Sequence, residues 1–377
     1  MEALILSMGT GGGHNAAARA VKEELERRGH TADLMNPYEL KSRKLAKFVD
    51  KAYIATVQYV PGLFGLIYKI GGVVSGLPFR HSIIYAINRK PAKSLEKYLK
   101  ENHYDVIITT HLFAGEMLTY LYDKKSGLPK TIFIATDYAC IPFEGEVKTD
   151  ACIIPSKDQT DDFSRKGVSL PRIYSYGIPT SSKFAEATSK KDLMDELELD
   201  PEYKYLLVCG GSMGAGKLKK IIRILEEWCH NDGHTKLIVV CGNNTKLFEQ
   251  LYAIYGNDII LYRFTEKMPE LFNLSEVCFI KPGGLSSTEA AVVGVPIAHI
   301  TPIPGCETIN MNYFSYEGMS LKVKPNKKSV YKALEYLSDE QHRQNMIKRQ
   351  HETINPHAAS DICKLAEALV MSNAAKN

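Results

Sequence analysis

The sequence predicts an α/β protein of two parallel-sheet domains, and three observations predict it. The chain has 377 residues, enough for two domains at about 100 to 200 residues each. Short runs rich in Ile and Val alternate with amphipathic helical patterns in both halves, the pattern of strand–helix–strand units. Glycine-rich loops follow several of those runs directly, where the carboxyl ends of parallel strands place ligands in the cleft between two such domains. Hydrophobic residues at 45% and charged residues at 24% match an average globular protein. They exclude a disordered chain, a collagen-like chain and a polytopic membrane protein.

In the first half, strands are expected at Ala3–Met8, Asp105–Thr110, Thr131–Thr136 and Ala151–Ile154, with another ending near Asn36. The first runs through Gly9-Thr10-Gly11-Gly12-Gly13-His14 into a helix expected over Asn15–Arg28, with Ala16, Ala20 and Val21 on one face and Gly29 at its end. After Tyr176-Gly177-Ile178-Pro179 the pattern weakens over the polar stretch Thr180–Lys191. It resumes with Tyr205–Cys209, Lys236–Cys241, Ile259–Tyr262, Val277–Ile280 and Pro296–Ile300. The expected organisation is therefore a domain at 1–179, a linker at 180–200, a second domain at 201–355 and a C-terminal helix at 356–377 that packs back on the first domain.

Three glycine loops carry the chemistry. The first, Gly9 to His14, presents backbone at a helix start and invites a phosphate or another closely approaching ligand at Gly11, Gly12 and Gly13. It is not a dinucleotide fingerprint, because His14 stands where the third glycine belongs and no ribose-binding acid follows the second strand. The second, Gly210-Gly211-Ser212-Met213-Gly214-Ala215-Gly216-Lys217, nearly spells a nucleoside-triphosphatase loop, but Leu218 follows Lys217 where Mg²⁺ would require a hydroxyl. It opens a helix expected over Leu218–Cys229, whose free N–H groups suit a diphosphate. The third, Lys281-Pro282-Gly283-Gly284-Leu285-Ser286-Ser287-Thr288-Glu289, precedes a helix expected over Glu289–Val293. There Gly283 and Gly284 allow close approach, and Glu289 can accept both hydroxyls of one ribose. Pro302-Ile303-Pro304-Gly305-Cys306-Glu307-Thr308-Ile309-Asn310 follows, and its carboxylate and amide suit sugar hydroxyls.

The charge is uneven. Residues 41–100 hold twelve Lys and Arg against two acids, a net of +10 in a chain of net +4, so the other 317 residues sum to −6. Interleaved with Phe48, Tyr53, Tyr59, Phe64, Tyr68, Phe79 and Tyr85, this excess suits an anionic membrane surface. No nucleic-acid recognition motif accompanies it, so nucleic acid is not the expected partner. The apolar stretch from Tyr59 to Phe79 is interrupted by Lys69 and by several Gly and Pro, which makes it a poor spanning helix. Eight Cys with no CxxC spacing read as small buried hydrophobes of a reducing compartment. The opening Met-Glu-Ala-Leu-Ile-Leu-Ser-Met enters a strand without a basic n-region, so no secretory signal and a cytoplasmic location are expected.

The order GGGH, GGSMGAG, KPGGLSSTE and PGCETIN resembles glycosyltransferase family 28, in its diacylglycerol glycosyltransferase and monogalactosyldiacylglycerol synthase branch. The likeness spans about residues 1–355, and the KPGG to PGCETIN block is its most specific part. It implies a GT-B fold, two Rossmann-like parallel-sheet domains facing a cleft, with a UDP-sugar donor held mainly by the second. On this sequence it implies that Gly211, Ser212 and Gly214, with Leu285 and Ser286, contact the diphosphate. Phe264 and Thr265 would meet the uracil, Glu289 the ribose, and Glu307 with Asn310 the transferred sugar. The expected reaction is inverting transfer of a hexose to a lipid acceptor, most simply diacylglycerol, at the inner face of the plasma membrane. A polyprenyl or soluble acceptor, a UDP-sugar epimerase and a non-catalytic membrane-binding protein are the alternatives.

Such chemistry needs a base for the acceptor hydroxyl and stabilisation of the departing diphosphate. The resemblance points to Asp137, just past Thr131–Thr136, as general base, with His14 orienting the hydroxyl or sharing its proton. No DxD occurs in the chain, so no metal and no cofactor are expected, and the helix starts at Gly211–Gly216 and Gly283–Ser287 would face the diphosphate instead.

Overall fold

The computed structural model describes residues 1–9, 12–44, 46–49, 82–125, 127–186, 188–210 and 218–374. Internal contacts divide the chain into two units: Met1–Ser182 with Pro304–Cys306 and Asn355–Asn377, and Lys183–Ile303 with Glu307–Ile354.

The first unit is built on β1 Glu2–Leu6, β2 Thr31–Met35, β3 Val106–Thr109, β4 Lys130–Ile134, β5 Ala151–Ile153 and β6 Ile173–Tyr174. They form one parallel sheet in the order β2-β1-β3-β4-β5-β6, with Ile5 between Leu34 and Ile108. The two-residue period sends Ala3 and Ile5 to one face and Leu4 and Leu6 to the other. Helices cover both faces, which is why β1 reads as an unbroken apolar run. One face packs on Ala18, Val21 and Leu25 of helix Gly12–Arg27 and on Ile362, Cys363 and Ala366 of helix Ala358–Ala374. The other packs on helices Ile83–Glu101 and Leu112–Asp123.

The chain's last helix and the residues just before it are tied to this unit. Arg28 and His30 reach Glu367, and the Asn355 amide donates to the Tyr176 carbonyl at 2.9 Å. Beside that contact Gly177 sits at φ +98, a conformation that glycine adopts without strain.

The second unit carries β7 Lys204–Cys209, β8 Thr235–Val240, β9 Ile260–Tyr262, β10 Val277–Ile280, β11 Ile297–Ile300 and β12 Leu321–Val323, all parallel, in the order β12-β11-β10-β7-β8-β9. Its core gathers Val208, Val239, Phe279 and Ile300 from the sheet with Ile221 and Leu225 of helix Leu218–Asp232 and Val330 and Leu334 of helix Lys327–Ser338.

Several boundaries differ from the sequence expectation. The first helix begins at Gly12 rather than Asn15, and helix Leu218–Asp232 runs three residues past Cys229. The helix expected from Glu289 begins at Gly284, so Glu289 lies in its second turn. The stretch read as a linker is partly helical. Lys190–Glu196 is capped by Ser189, which accepts from the Asp192 N–H, and it buries Leu193. Lys190 and Arg343 both engage Glu276, which ties this helix to the second unit.

Candidate active site

In each sheet the first strand lies inside, and the chain winds outward from it in both directions. The reversal falls between β1 and β3 in the first unit and between β7 and β10 in the second. A crevice opens at the carboxyl ends of the strands at such a switch point. In the first unit, His14 follows β1, Thr110 follows β3 and Thr136 follows β4, and the fold brings the three together. The His14 Nδ1 lies 2.8 Å from the Thr110 carbonyl oxygen and 2.9 Å from the Thr136 Oγ1. A carbonyl oxygen only accepts, so Nδ1 carries the hydrogen and the Nε2 lone pair is the ring's accepting edge. The Thr110 hydroxyl in turn donates to the His14 carbonyl at 3.0 Å. A second ring, His111, stands edge-on at 4.8 Å, and its Nδ1 accepts from the Phe113 N–H at 3.2 Å.

Burial holds the His14 pKa below the ordinary histidine value, while the negative charge of Asp137 and the Thr110 carbonyl pull it upward. His111 is pushed well down by burial and by His14. Asp137 lies on the loop after β4, half-buried, and acts electrostatically on both His14 and Glu144. That loop is braced from below. Gln159 donates to the Tyr138 carbonyl at 2.6 Å, Lys166 to the Cys140 carbonyl at 2.6 Å, and the Ile141 N–H to Glu144 at 2.9 Å. Glu144 is buried, and burial lifts its pKa well above the ordinary carboxylate value despite the Ile141 bond. Four titratable groups, His14, His111, Asp137 and Glu144, therefore share one end of one sheet. That is a setting for moving a proton.

In the second unit, the loop after β10 leads into helix Gly284–Val293. Its cap residue, Gly283, brings no side chain to the first N–H groups, and a Cβ built there meets no described atom within 4 Å. A helix start with a glycine cap is of the kind that suits an anion. Ser286 and Glu289 are both half-buried and stand three residues apart, on one helix face. Ser287 points inward, bonded to His299 at 2.9 Å, and Ser320 holds the other ring nitrogen at 3.0 Å. Burial drives the His299 pKa down to about 3, so the ring is a neutral brace under the loop.

Lys281, the first residue past β10, forms a buried ion pair with Glu307 at 2.8 Å. The second Glu307 oxygen accepts from the Ile303 N–H at 2.7 Å. Asn310 is fully buried and donates to the Pro282 carbonyl at 3.1 Å. Phe264, 56% exposed just past β9, is no core aromatic, and the neighbouring Thr265 hydroxyl accepts from the Lys267 N–H.

Gly12 and Gly13 open helix Gly12–Arg27, and its first turn carries no acidic residue. Gly11, Gly211, Ser212 and Gly214 lie outside the described residues, as do residues 50–81 of the basic segment. In its described part Lys41, Arg43, Lys44 and Lys47 are exposed, and so are Phe48 at 68%, Ile83 at 72% and Ile87 at 54%. Among the described residues no helix is long and apolar enough to cross a membrane. Seven of the eight cysteines are buried, and Cys306 is half-buried.

Sequence reading missed Thr110, Thr136, His111, Glu144 and the Lys281 side chain. The first three and Lys281 share one signal: each is a polar residue within two places of the end of an apolar strand.

Two parallel six-stranded sheets, each with its polar cluster at the switch point, are the architecture of the GT-B fold. Residues 14–180 match the family model of monogalactosyldiacylglycerol (MGDG) synthase, and residues 205–365 that of the glycosyltransferase family 28 C-terminal domain. Together the two matches take in most of the chain, and they make it a glycosyltransferase similar to the diacylglycerol-acting enzymes. It is 25% identical to a processive diacylglycerol beta-glucosyltransferase of Bacillus licheniformis, over 95% of this chain and 92% of that one. It is 26% identical to a probable chloroplastic monogalactosyldiacylglycerol synthase 3 of Oryza sativa, over 96% of this chain and 73% of the relative. In fold it is similar to Acinetobacter baumannii MurG, with a TM-score of 0.62 and 14% identity over 97% of this chain and 99% of that one.

Proposed function

We propose that the chain transfers a hexose from a UDP-sugar to diacylglycerol, with inversion at the sugar. The observation that carries this reading is the family match across both units, with a proton-handling cluster at one switch point and a phosphate-type helix start at the other. In this reading Asp137 takes the acceptor hydroxyl's proton. His14, fixed by Thr110 and Thr136 with Nε2 as its accepting edge, orients that hydroxyl or shares the proton. Gly12 and Gly13, with Gly11, let the acceptor approach the backbone.

On the donor side, Gly283, Gly284, Leu285 and Ser286 with Gly211, Ser212 and Gly214 meet the diphosphate, Phe264 and Thr265 the uracil, Glu289 the ribose, and Glu307 and Asn310 the hexose. Helix starts oppose the charge that develops on the leaving UDP, and the reading assigns no metal. The basic segment 41–100 brings the chain to an anionic membrane at the inner face of the plasma membrane, with Phe48, Ile83 and Ile87 supplying exposed apolar groups.

The test is incubation of the protein with radiolabelled UDP-glucose, UDP-galactose or UDP-N-acetylglucosamine and vesicles of diacylglycerol in anionic phospholipid, products being separated by polarity. The expected result is label in a glycolipid from one donor. Label that stays water-soluble as an epimer or a free sugar would refute the reading.

A further inference from the structure

We propose that Lys281 is a positioning residue for the transferred hexose. It holds the Glu307 carboxylate in one orientation, so that the remaining lone pairs meet sugar hydroxyls. This rests on the donor-site reading of the same loops.

The Lys281 ammonium and the Glu307 carboxylate are 2.8 Å apart, with side chains 9% and 11% exposed, and the Ile303 N–H fixes the other carboxylate oxygen at 2.7 Å. Held at both oxygens, Glu307 loses the freedom to rotate. A carboxylate offers about four accepting positions. Among the described residues two are taken, which leaves two. The next residue, Pro282, is tied through its carbonyl to Asn310, which stands one turn beyond Glu307 on helix Cys306–Tyr316. The strand end at 281–282 therefore holds both residues of the helix that the donor reading gives to the hexose. A pair this buried is poor evidence for stability, because desolvating two charges offsets their attraction and apolar replacements are often neutral or better. What the pair supplies is orientation.

A lysine beside a phosphate-type loop has an obvious other use, direct contact with the diphosphate, and the two roles separate experimentally. UDP lacks the hexose; UDP-glucose and UDP-galactose differ in one hydroxyl of it. In Lys281→Met, calorimetry should show UDP affinity within about twofold of wild type. Affinity for the hexose donor that the wild type prefers should fall about tenfold or more, the scale of a lost hydrogen bond to a charged group, and the preference between the two hexoses should shrink. Lys281→Arg keeps the charge and should recover part of both. Lys281→Met with Glu307→Gln removes the pair without stranding a buried charge, and should lose no more than Lys281→Met alone, since both changes remove one arrangement.

Equal losses for UDP and UDP-hexose would put Lys281 on the diphosphate and overturn the proposal. So would unchanged hexose discrimination, or losses in the double variant that add. Failure of the donor-site reading looks different: the wild type itself would bind neither UDP nor either UDP-hexose, and the proposal would fall with it.

Discussion

The two units share a sheet topology wound outward from an inner strand, yet fill the switch point in opposite ways. The first gathers His14, His111, Asp137 and Glu144, where the Asp137 charge acts on His14 and Glu144, and His14 acts on His111. Among the described residues the second presents a helix start with a glycine cap and a buried ion pair, with His299 buried and neutral beneath the loop. Proton transfer needs titratable groups with environments that push their pKa values apart. Holding a diphosphate needs oriented backbone N–H groups whose strength does not vary with pH. The difference is what supports the proposal that the base lies in the first unit and the donor site in the second.

The largest effect should come from the first unit. Asp137→Asn should cut turnover by about 10² to 10⁴ while calorimetry finds UDP-hexose affinity near that of wild type; near-native turnover would move the base elsewhere. Next comes the surface of the same unit. Replacing exposed Lys41, Arg43, Lys44 and Lys47 with Gln removes four charges at about 1 kcal/mol each near an anionic bilayer. Sedimentation with anionic vesicles should show binding reduced by orders of magnitude, while transfer to a short-chain soluble diacylglycerol persists. Equal vesicle binding by wild type and variant would leave the basic segment a solvated surface.

Two buried groups, Glu116 in the first unit and His299 in the second, should contribute pH dependences of stability with opposite sign. Glu116 is fully buried in the first unit, and burial with the neighbouring Glu146 carboxyl pushes its pKa up to about 10. The folded unit keeps a proton that the unfolded chain gives up above pH 4.5, so stability is lost as pH rises from there toward 10. Between about pH 7 and about pH 9 the loss is on the order of 3 kcal/mol. His299 works the other way. The unfolded chain takes a proton near pH 6.5 and the folded unit refuses it until about 3, so stability is lost as pH falls through that window, by about 2 kcal/mol at about pH 5. Denaturant titrations should show the alkaline loss reduced in Glu116→Gln and unchanged in His299→Gln; the reverse pattern would break the contrast.

A smaller effect belongs to the ribose contact. Glu289→Ala should weaken UDP itself by about tenfold to a hundredfold, whereas Glu307→Gln should leave UDP affinity intact and slow transfer. Equal losses of UDP affinity would erase that division within the second unit.

What the sequence made legible follows from burial. Strands covered on both faces are runs such as Leu4, Ile5 and Leu6, so the strands expected from apolar runs were found within a residue or two of their true ends. β12, three residues with Lys322 in the middle, gave no such run. The helix start at Gly284 was hidden because Gly, Ser and Thr are poor helix formers. Tertiary contacts decide it: Ser287 bonds His299, and Thr288 donates back to the Gly284 carbonyl at 2.7 Å. Asp137 and His14 could be picked out because each follows a strand, but their company could not. That Thr110 and Thr136 flank His14 depends on β1 lying beside β3 and β3 beside β4, a neighbour relation that local pattern does not encode. The Lys281–Glu307 pair was hidden for the same reason.

The central claim is that the first unit moves the proton and the second holds the donor. Turnover at saturating UDP-hexose and the dissociation constant of UDP-hexose, measured on one preparation of the full chain from about pH 8 down to about pH 5.5, test it together. Turnover should hold through the ordinary histidine value of about 6.5 and decline only at lower pH, as His14, whose pKa is held below that value, takes a proton and loses its Nε2 lone pair. The dissociation constant should stay level. A dissociation constant that rises with acid while turnover holds steady would contradict the assignment.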